Sequence, residues 1–124
     1  MPQRKQQERS KVALGKRGEL FAEKLLKNKG YKIVDRNFRS KFGEIDIIAK
    51  AGETLVFVEV KARWSRKFGK PEEAVTPRKI GKIKRMIDYY NLVNSSLPKK
   101  QRIDVVALEI SGSKVISSKI IKVT

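Results

Sequence analysis

The chain has 124 residues, enough for one domain with a real hydrophobic core. It contains no cysteine and no histidine, which excludes disulfides, thiolate zinc, thiol catalysis and every Ser-His or Cys-His pair. A metal here must be held by oxygen ligands, which favours Mg²⁺ or Mn²⁺. Lys and Arg total 30 against 13 Asp and Glu, a net charge of +17, so the partner to expect is a polyanion. Nucleic acid comes first and an anionic membrane second.

Hydrophobic residues make up 40% of the chain, a globular rather than a disordered composition. No apolar run approaches the ~20 residues of a membrane span. No apolar stretch follows the basic start MPQRKQQERSK. The expectation is therefore a cytoplasmic protein that does not enter the membrane.

Residues 1–9 are polar and basic and read as a flexible arm, with residues 10–124 as one domain. Ser10 reads as a helix N-cap. Leu14, Phe21, Ala22, Leu25 and Leu26 form a helical stripe that stops at Gly30. Gly15, Gly18 and Ala22 would let that helix approach another element closely. Residues 31–38 read as a first strand. Residues 45–50 and 54–63 read as a hairpin around Gly52-Glu53. Residues 64–75 mix Gly, Pro and charge and read as a loop. Thr76-Pro77 opens a second helix running to about Asn94, with Ile80, Ile83, Ile87 and Tyr90 on one face. After a break over 95–101, residues 103–110 and 115–123 are two more strands around Ser111-Gly112-Ser113. The order is α-β-β-β-α-β-β.

The hairpin register carries the functional argument. With Gly52-Glu53 as its loop, Asp46 falls opposite Glu59, and Glu44 opposite Lys61. Alternation sets Glu44 and Asp46 on one face with Phe57, Glu59, Lys61 and Arg63. Ile45, Ile47, Ala49, Val56, Val58, Val60 and Ala62 take the other face. Opposed carboxylates in mid-hairpin destabilise by roughly 0.2–1 kcal/mol. A divalent cation between Asp46 and Glu59 removes that penalty, and Lys61 is then placed to orient water or carry charge on a phosphoryl group. Taken alone, Glu59-x-Lys61 also describes a solvated strand face. Its setting in the apolar run VFVEVKA argues instead for a central strand whose charges need partners. Glu19 shares a helical face with Ala22 and Leu26. It either joins the acidic pair or pairs with Lys16 at the surface.

Basic residues for phosphate contact lie in the arm, in the loop (Arg63, Arg66, Lys67) and on the second helix (Lys79, Lys82). Lys79 is the foremost of the helix candidates, since it falls in the first turn. Trp64 and Phe68 interleave with the loop cations and either stack on bases or, for Trp64, cap the core.

RGE at 17–19, GEIDIIA at 43–49, VFVEVKAR at 56–63 and RIDVVAL at 102–108 resemble the YraN-type family of small bacterial proteins. That family is similar to restriction-endonuclease-like folds of the PD-(D/E)xK type, including Holliday-junction resolvases. The resemblance implies an α/β fold, a mixed sheet of about five strands with a helix on each face. It implies a Mg²⁺- or Mn²⁺-dependent endonuclease on structured DNA, or a DNA- or RNA-binding module that retains the nuclease fold without turnover. By position Asp46, Glu59 and Lys61 match the motif and Glu19 the helical acidic residue. Asp46 and Glu59 would be the metal ligands, with Glu44 as support. Ile45 stands where the motif name has proline. A homodimer is expected by analogy with the resolvases.

Overall fold

The computed structural model describes residues 4–64 and 70–123. Helix α1 (Arg4–Asn28) leads into strands β1 (Lys32–Ser40), β2 (Gly43–Ala51) and β3 (Thr54–Trp64). A short 3-10 turn (Pro71–Ala74) precedes α2 (Pro77–Val93), and β4 (Gln101–Ser111) and β5 (Lys114–Lys122) close the chain. The strands form one sheet in the order β1-β2-β3-β4-β5. All neighbours are antiparallel except β3 and β4, which are parallel and joined through α2. This is the α/β fold and element order expected from the sequence.

Alternation along β3 explains the two layers. Val56 and Val58 pack with Ala22 and Leu26 of α1, and with Ile47, Ala49, Val106 and Leu108. Leu55 and Phe57 face the other way and pack with Met86 and Tyr90 of α2, and with Ile45 and Ile48. A strand that is apolar on both faces belongs at the centre of a covered sheet, and β3 lies there. Helix α1 ends as its sequence dictates. Gly30 takes φ +91°, its N–H donates to the Lys27 carbonyl, and the Tyr31 N–H donates to the Leu26 carbonyl at 2.9 Å. At the other helix, Thr76 Oγ1 accepts from the Lys79 amide at 3.2 Å and Pro77 takes the first helical position.

Several expectations are corrected. The first helix starts at Arg4, not at Ser10, so most of the expected arm is helical. RKQQERSK holds strong helix formers and no glycine or proline, and nothing in it stops the helix. Trp64 does not cap the core but is 46% exposed at the end of β3. Part of the expected 64–75 loop is the 3-10 turn, and Arg66, Lys67 and Phe68 lie outside the described residues. Of the small residues on α1, Ala22 is buried and Gly18 lies against β3, but Gly15 faces open space.

The two glycines therefore predict opposite results. A Cβ on Gly18 would sit 3.2 Å from Ala62 Cβ and 3.6 Å from Leu108 Cδ1. Gly18→Val should lower stability by about 1–3 kcal/mol through overpacking. Gly15→Ala meets nothing within 4 Å and should raise stability by about 0.5–1 kcal/mol. Urea titration of both variants checks the pair.

A buried ion pair lies under α1. The Asp104 side chain is wholly buried on β4; it accepts from Arg102 Nε at 2.9 Å and from the Tyr31 hydroxyl at 2.7 Å. Arg102 also donates to the Tyr31 oxygen. RIDVVAL thus contributes a buried, satisfied charge that ties β4 to the start of β1. Among the described residues, no helix is long and apolar enough to cross a membrane.

Candidate active site

The site begins where β2 and β3 part. Their ladder runs from Ala51↔Thr54 to Ile47↔Val58 and ends there. The register of the paired residues is the one expected from the loop. The pairing stops one step short of Asp46 and Glu59, so these two are not a cross-strand pair, nor are Glu44 and Lys61. Instead the Val60 N–H donates to Asp46 Oδ2 at 2.7 Å, so a side chain takes the place of a backbone acceptor. Alternation breaks at the same point. Ile47 packs on the α1 side and Ile45 on the α2 side, although they are two residues apart. The expected placement of Ile45 beside Ile47 is therefore corrected.

The neighbouring strand is irregular at the matching position. Arg36 pairs with Ile47 and Phe38 with Ile45, and Asn37 between them has φ +49°. Asparagine tolerates this left-handed conformation better than most side chains. Its amide then reaches across the break. Asn37 Nδ2 donates to Glu19 Oε1 and to Glu44 Oε1, each at 2.8 Å. Glu19 is thus held to the sheet. Arg39 closes the group by donating to Glu44 at 3.1 Å.

Glu19, Glu44 and Asp46 each present an oxygen within 4.8 Å of the others, a spacing that could hold a metal ion. They line a cleft of about 580 Å³ beneath α1, rimmed by Lys16, Arg36 and Arg39. Arg36 is tied to Glu23 of α1, and with Lys27 it holds that carboxyl down at about 2. All-oxygen carboxylate ligands suit Mg²⁺ or Mn²⁺, so the residues present fit the expected class of metal.

Asp46 feels the crowding of negative charge. Burial, then the Glu59 carboxylate, push its carboxyl up to about 7. The Val60 hydrogen bond opposes this, and Glu19 and Glu44 add to the rise. Glu59 is therefore close enough to repel Asp46, yet it is not one of the three clustered carboxylates. It forms an ion pair with Lys79 of α2 at 3.0 Å, with side chains 17% and 31% exposed respectively. Lys61 follows Glu59 on β3. Lys79 first, then burial and Arg63, pull the Lys61 ammonium down, while Glu59 acts the other way. An acidic group under α1 and a cationic group beside α2 thus meet around β3.

The matched region adds a family. Residues 18–108 match the family model of the uncharacterised protein family UPF0102. The chain belongs to this family. Relatives within it include the UPF0102 protein of Syntrophomonas wolfei, 44% identical over 82% of this chain and 88% of its own length. The UPF0102 protein of Thermodesulfovibrio yellowstonii is 49% identical over 80% and 88%, and that of Caldicellulosiruptor saccharolyticus 50% identical over 78% and 82%. The family is the one expected from the YraN-type resemblance. The UPF0102 match spans Glu19, Asn37, Glu44, Asp46, Glu59, Lys61 and Lys79.

Sequence reasoning found Glu19, Glu44, Asp46, Glu59, Lys61 and Lys79 but missed Asn37 and Arg39. A signal was available for Asn37. Asparagine is a poor strand residue, and one inside a β-branched run marks a break in the strand. The expected phosphate contacts divide. Lys82 is exposed on α2, Lys79 is committed to Glu59, and Arg63 is half-buried on β3.

Proposed function

We propose that this protein is a Mg²⁺- or Mn²⁺-dependent endonuclease that hydrolyses phosphodiester bonds in structured DNA. The observation that carries the reading is the charge division around β3: Glu19, Glu44 and Asp46 gather on one side, and Lys61 and Lys79 stand on the other. Carboxylates that repel one another stay together in a basic chain when a cation is their partner. Glu19, Glu44 and Asp46 would hold that cation, with Glu59 at its margin. A bound divalent cation supplies Lewis acidity and lowers the pKa of water.

The protein's own groups do the rest. Asn37 holds Glu19 and Glu44 at a fixed spacing, and the Val60 amide fixes Asp46. Lys61, its ammonium pulled down and half-buried, donates to the phosphoryl oxygens where charge develops. Lys82 and the other exposed cations engage backbone phosphates, which gives affinity with little sequence preference. Binding should fall steeply with salt, by roughly 10³–10⁵ between 50 and 200 mM if ~6–10 phosphates are neutralised.

A second reading, a nucleic-acid-binding module without turnover, is favoured by the Glu59–Lys79 ion pair, which occupies a carboxylate the catalytic reading needs. A cleavage panel decides between them. Duplex, single-strand, flap and four-way-junction DNA, with an RNA control, are incubated with Mg²⁺, Mn²⁺ or EDTA. The endonuclease reading expects metal-dependent product from at least one structured DNA. Binding without product from every substrate overturns it and leaves the module.

A further inference from the structure

The Glu59–Lys79 ion pair does not fit a static metal site. Glu59 is 17% exposed, and a carboxylate so far withdrawn from water needs a countercharge. In the free protein that countercharge is Lys79, from the first turn of α2, at 3.0 Å. Lys79 is also close enough to Lys61 to be the largest influence on its ammonium. The Lys61 and Lys79 ammonium groups thus stand near one carboxylate, and the local surplus is positive. On the far side of β3 the balance is reversed, with Glu19, Glu44 and Asp46 together and Arg39 on Glu44.

We propose that Lys79 is a positioning residue that couples nucleic-acid binding to metal binding: a backbone phosphate takes the Lys79 ammonium from Glu59, and the released carboxylate joins Asp46 as a cation ligand. The inference rests on the endonuclease reading and adds the order of events to it. The physical reason is exchange of partners. A phosphate arriving between Lys61 and Lys79 meets a positive surplus and competes with Glu59 for the same ammonium. Once Lys79 has moved, Glu59 stands near Asp46 without its ion-pair partner, and repulsion between the two carboxylates raises the affinity for a divalent cation. Coupling is reciprocal, so the metal in turn strengthens phosphate binding. In the free protein Lys79 holds Glu59 away from the metal, so the complete site exists only on substrate.

The test measures metal affinity and does not depend on turnover. Free Mn²⁺ is read by its EPR signal during titration of the full chain, alone and with saturating four-way-junction DNA, against a DNA-only control. For the wild type, DNA should tighten Mn²⁺ binding by at least about fivefold, the lower end of typical allosteric couplings. Lys79→Met should bind Mn²⁺ more tightly than wild type without DNA, and DNA should change its affinity by less than about twofold. Lys79→Arg, which keeps the cation, should keep the coupling. Glu59→Gln should abolish it and provides the same test from the acceptor's side if Lys79→Met does not fold. Wild type and Lys79→Met with equal affinities and equal coupling overturn the inference. If the wild type also cleaves DNA in that case, the endonuclease reading stands and only the role of Lys79 falls. Absence of Mn²⁺ binding by the wild type, with and without DNA, overturns both.

Discussion

Asp46→Ala should reduce metal-dependent cleavage by about 10³-fold or more while changing DNA affinity measured in EDTA by less than about threefold. The expected loss follows from what Asp46 touches. Its carboxylate is in the acidic group, and its Oδ2 holds the Val60 amide at the point where β2 leaves β3. Losing it removes a ligand and also the acceptor that fixes the local backbone. A ligand of a Lewis-acidic cation contributes several kcal/mol of transition-state stabilisation, and about 4 kcal/mol is a factor of roughly 10³. Binding is spared because phosphate contacts come from cations elsewhere, and truncating a carboxylate in a basic protein does not weaken a polyanion. Lys61→Ala should show a similar loss of cleavage with a modest loss of binding. Single-turnover rates and filter binding at matched ionic strength separate the two effects. Loss of binding in proportion to cleavage would mean that Asp46 is structural.

The second large effect concerns stability and pH. The Asp46 carboxyl is pushed up from 3.8 to about 7 in the folded chain, first by burial and then by Glu59. The sign follows from proton counting. Below about pH 4 Asp46 is protonated in both folded and unfolded chains, and it imposes no penalty. Between about 4 and 7 the folded chain keeps a proton that the unfolded chain has lost, so stability falls as pH rises. Above about 7 the full penalty is present, on the order of 4 kcal/mol. Asp46→Asn removes the charge and keeps an oxygen to accept from Val60. The variant should therefore be more stable than wild type at pH 8, by about 2–4 kcal/mol, and the difference should shrink toward zero near pH 4.5. Urea denaturation in EDTA at several pH values checks this, and parallel curves for the two proteins would contradict it. Mn²⁺ should stabilise the wild type most above pH 7, where its ligands are ionised, and Asp46→Asn much less.

The layers of the fold were legible because periodicity and punctuation agreed. VFVEVKAR is apolar on both faces near its start, and it lies at the centre of the sheet. Gly30, Thr76-Pro77 and the two hairpin loops fall where their backbone chemistry predicts. The chemical inventory of the site was legible as well, since a chain without histidine or cysteine has few groups from which to build one. The geometry was less so. A register count assumes that alternation continues, and here it stops at Ile47↔Val58. The break depends on a tertiary contact, the Asp46 carboxylate on the Val60 amide, together with Asn37 in a left-handed conformation on the next strand. Neither follows from a period of two. The pairing of Glu59 with Lys79 was hidden for a similar reason: it joins a strand to a helix across the α2 face, and helix docking sets it rather than local pattern.

The most direct test of the central claim is single-turnover cleavage of a four-way junction by wild type and Asp46→Asn, side by side, in Mn²⁺ and in EDTA. Asp46→Asn is the sharper variant because it should fold more stably than wild type at pH 8, so lost activity cannot be assigned to unfolding. The expected result is cleavage by the wild type in Mn²⁺ only, and a single-turnover rate at saturating protein lower by about 10³-fold for Asp46→Asn, with junction affinity in EDTA unchanged. Equal rates for the two proteins, or wild-type cleavage that persists in EDTA, would contradict a metal-dependent nuclease centred on Asp46.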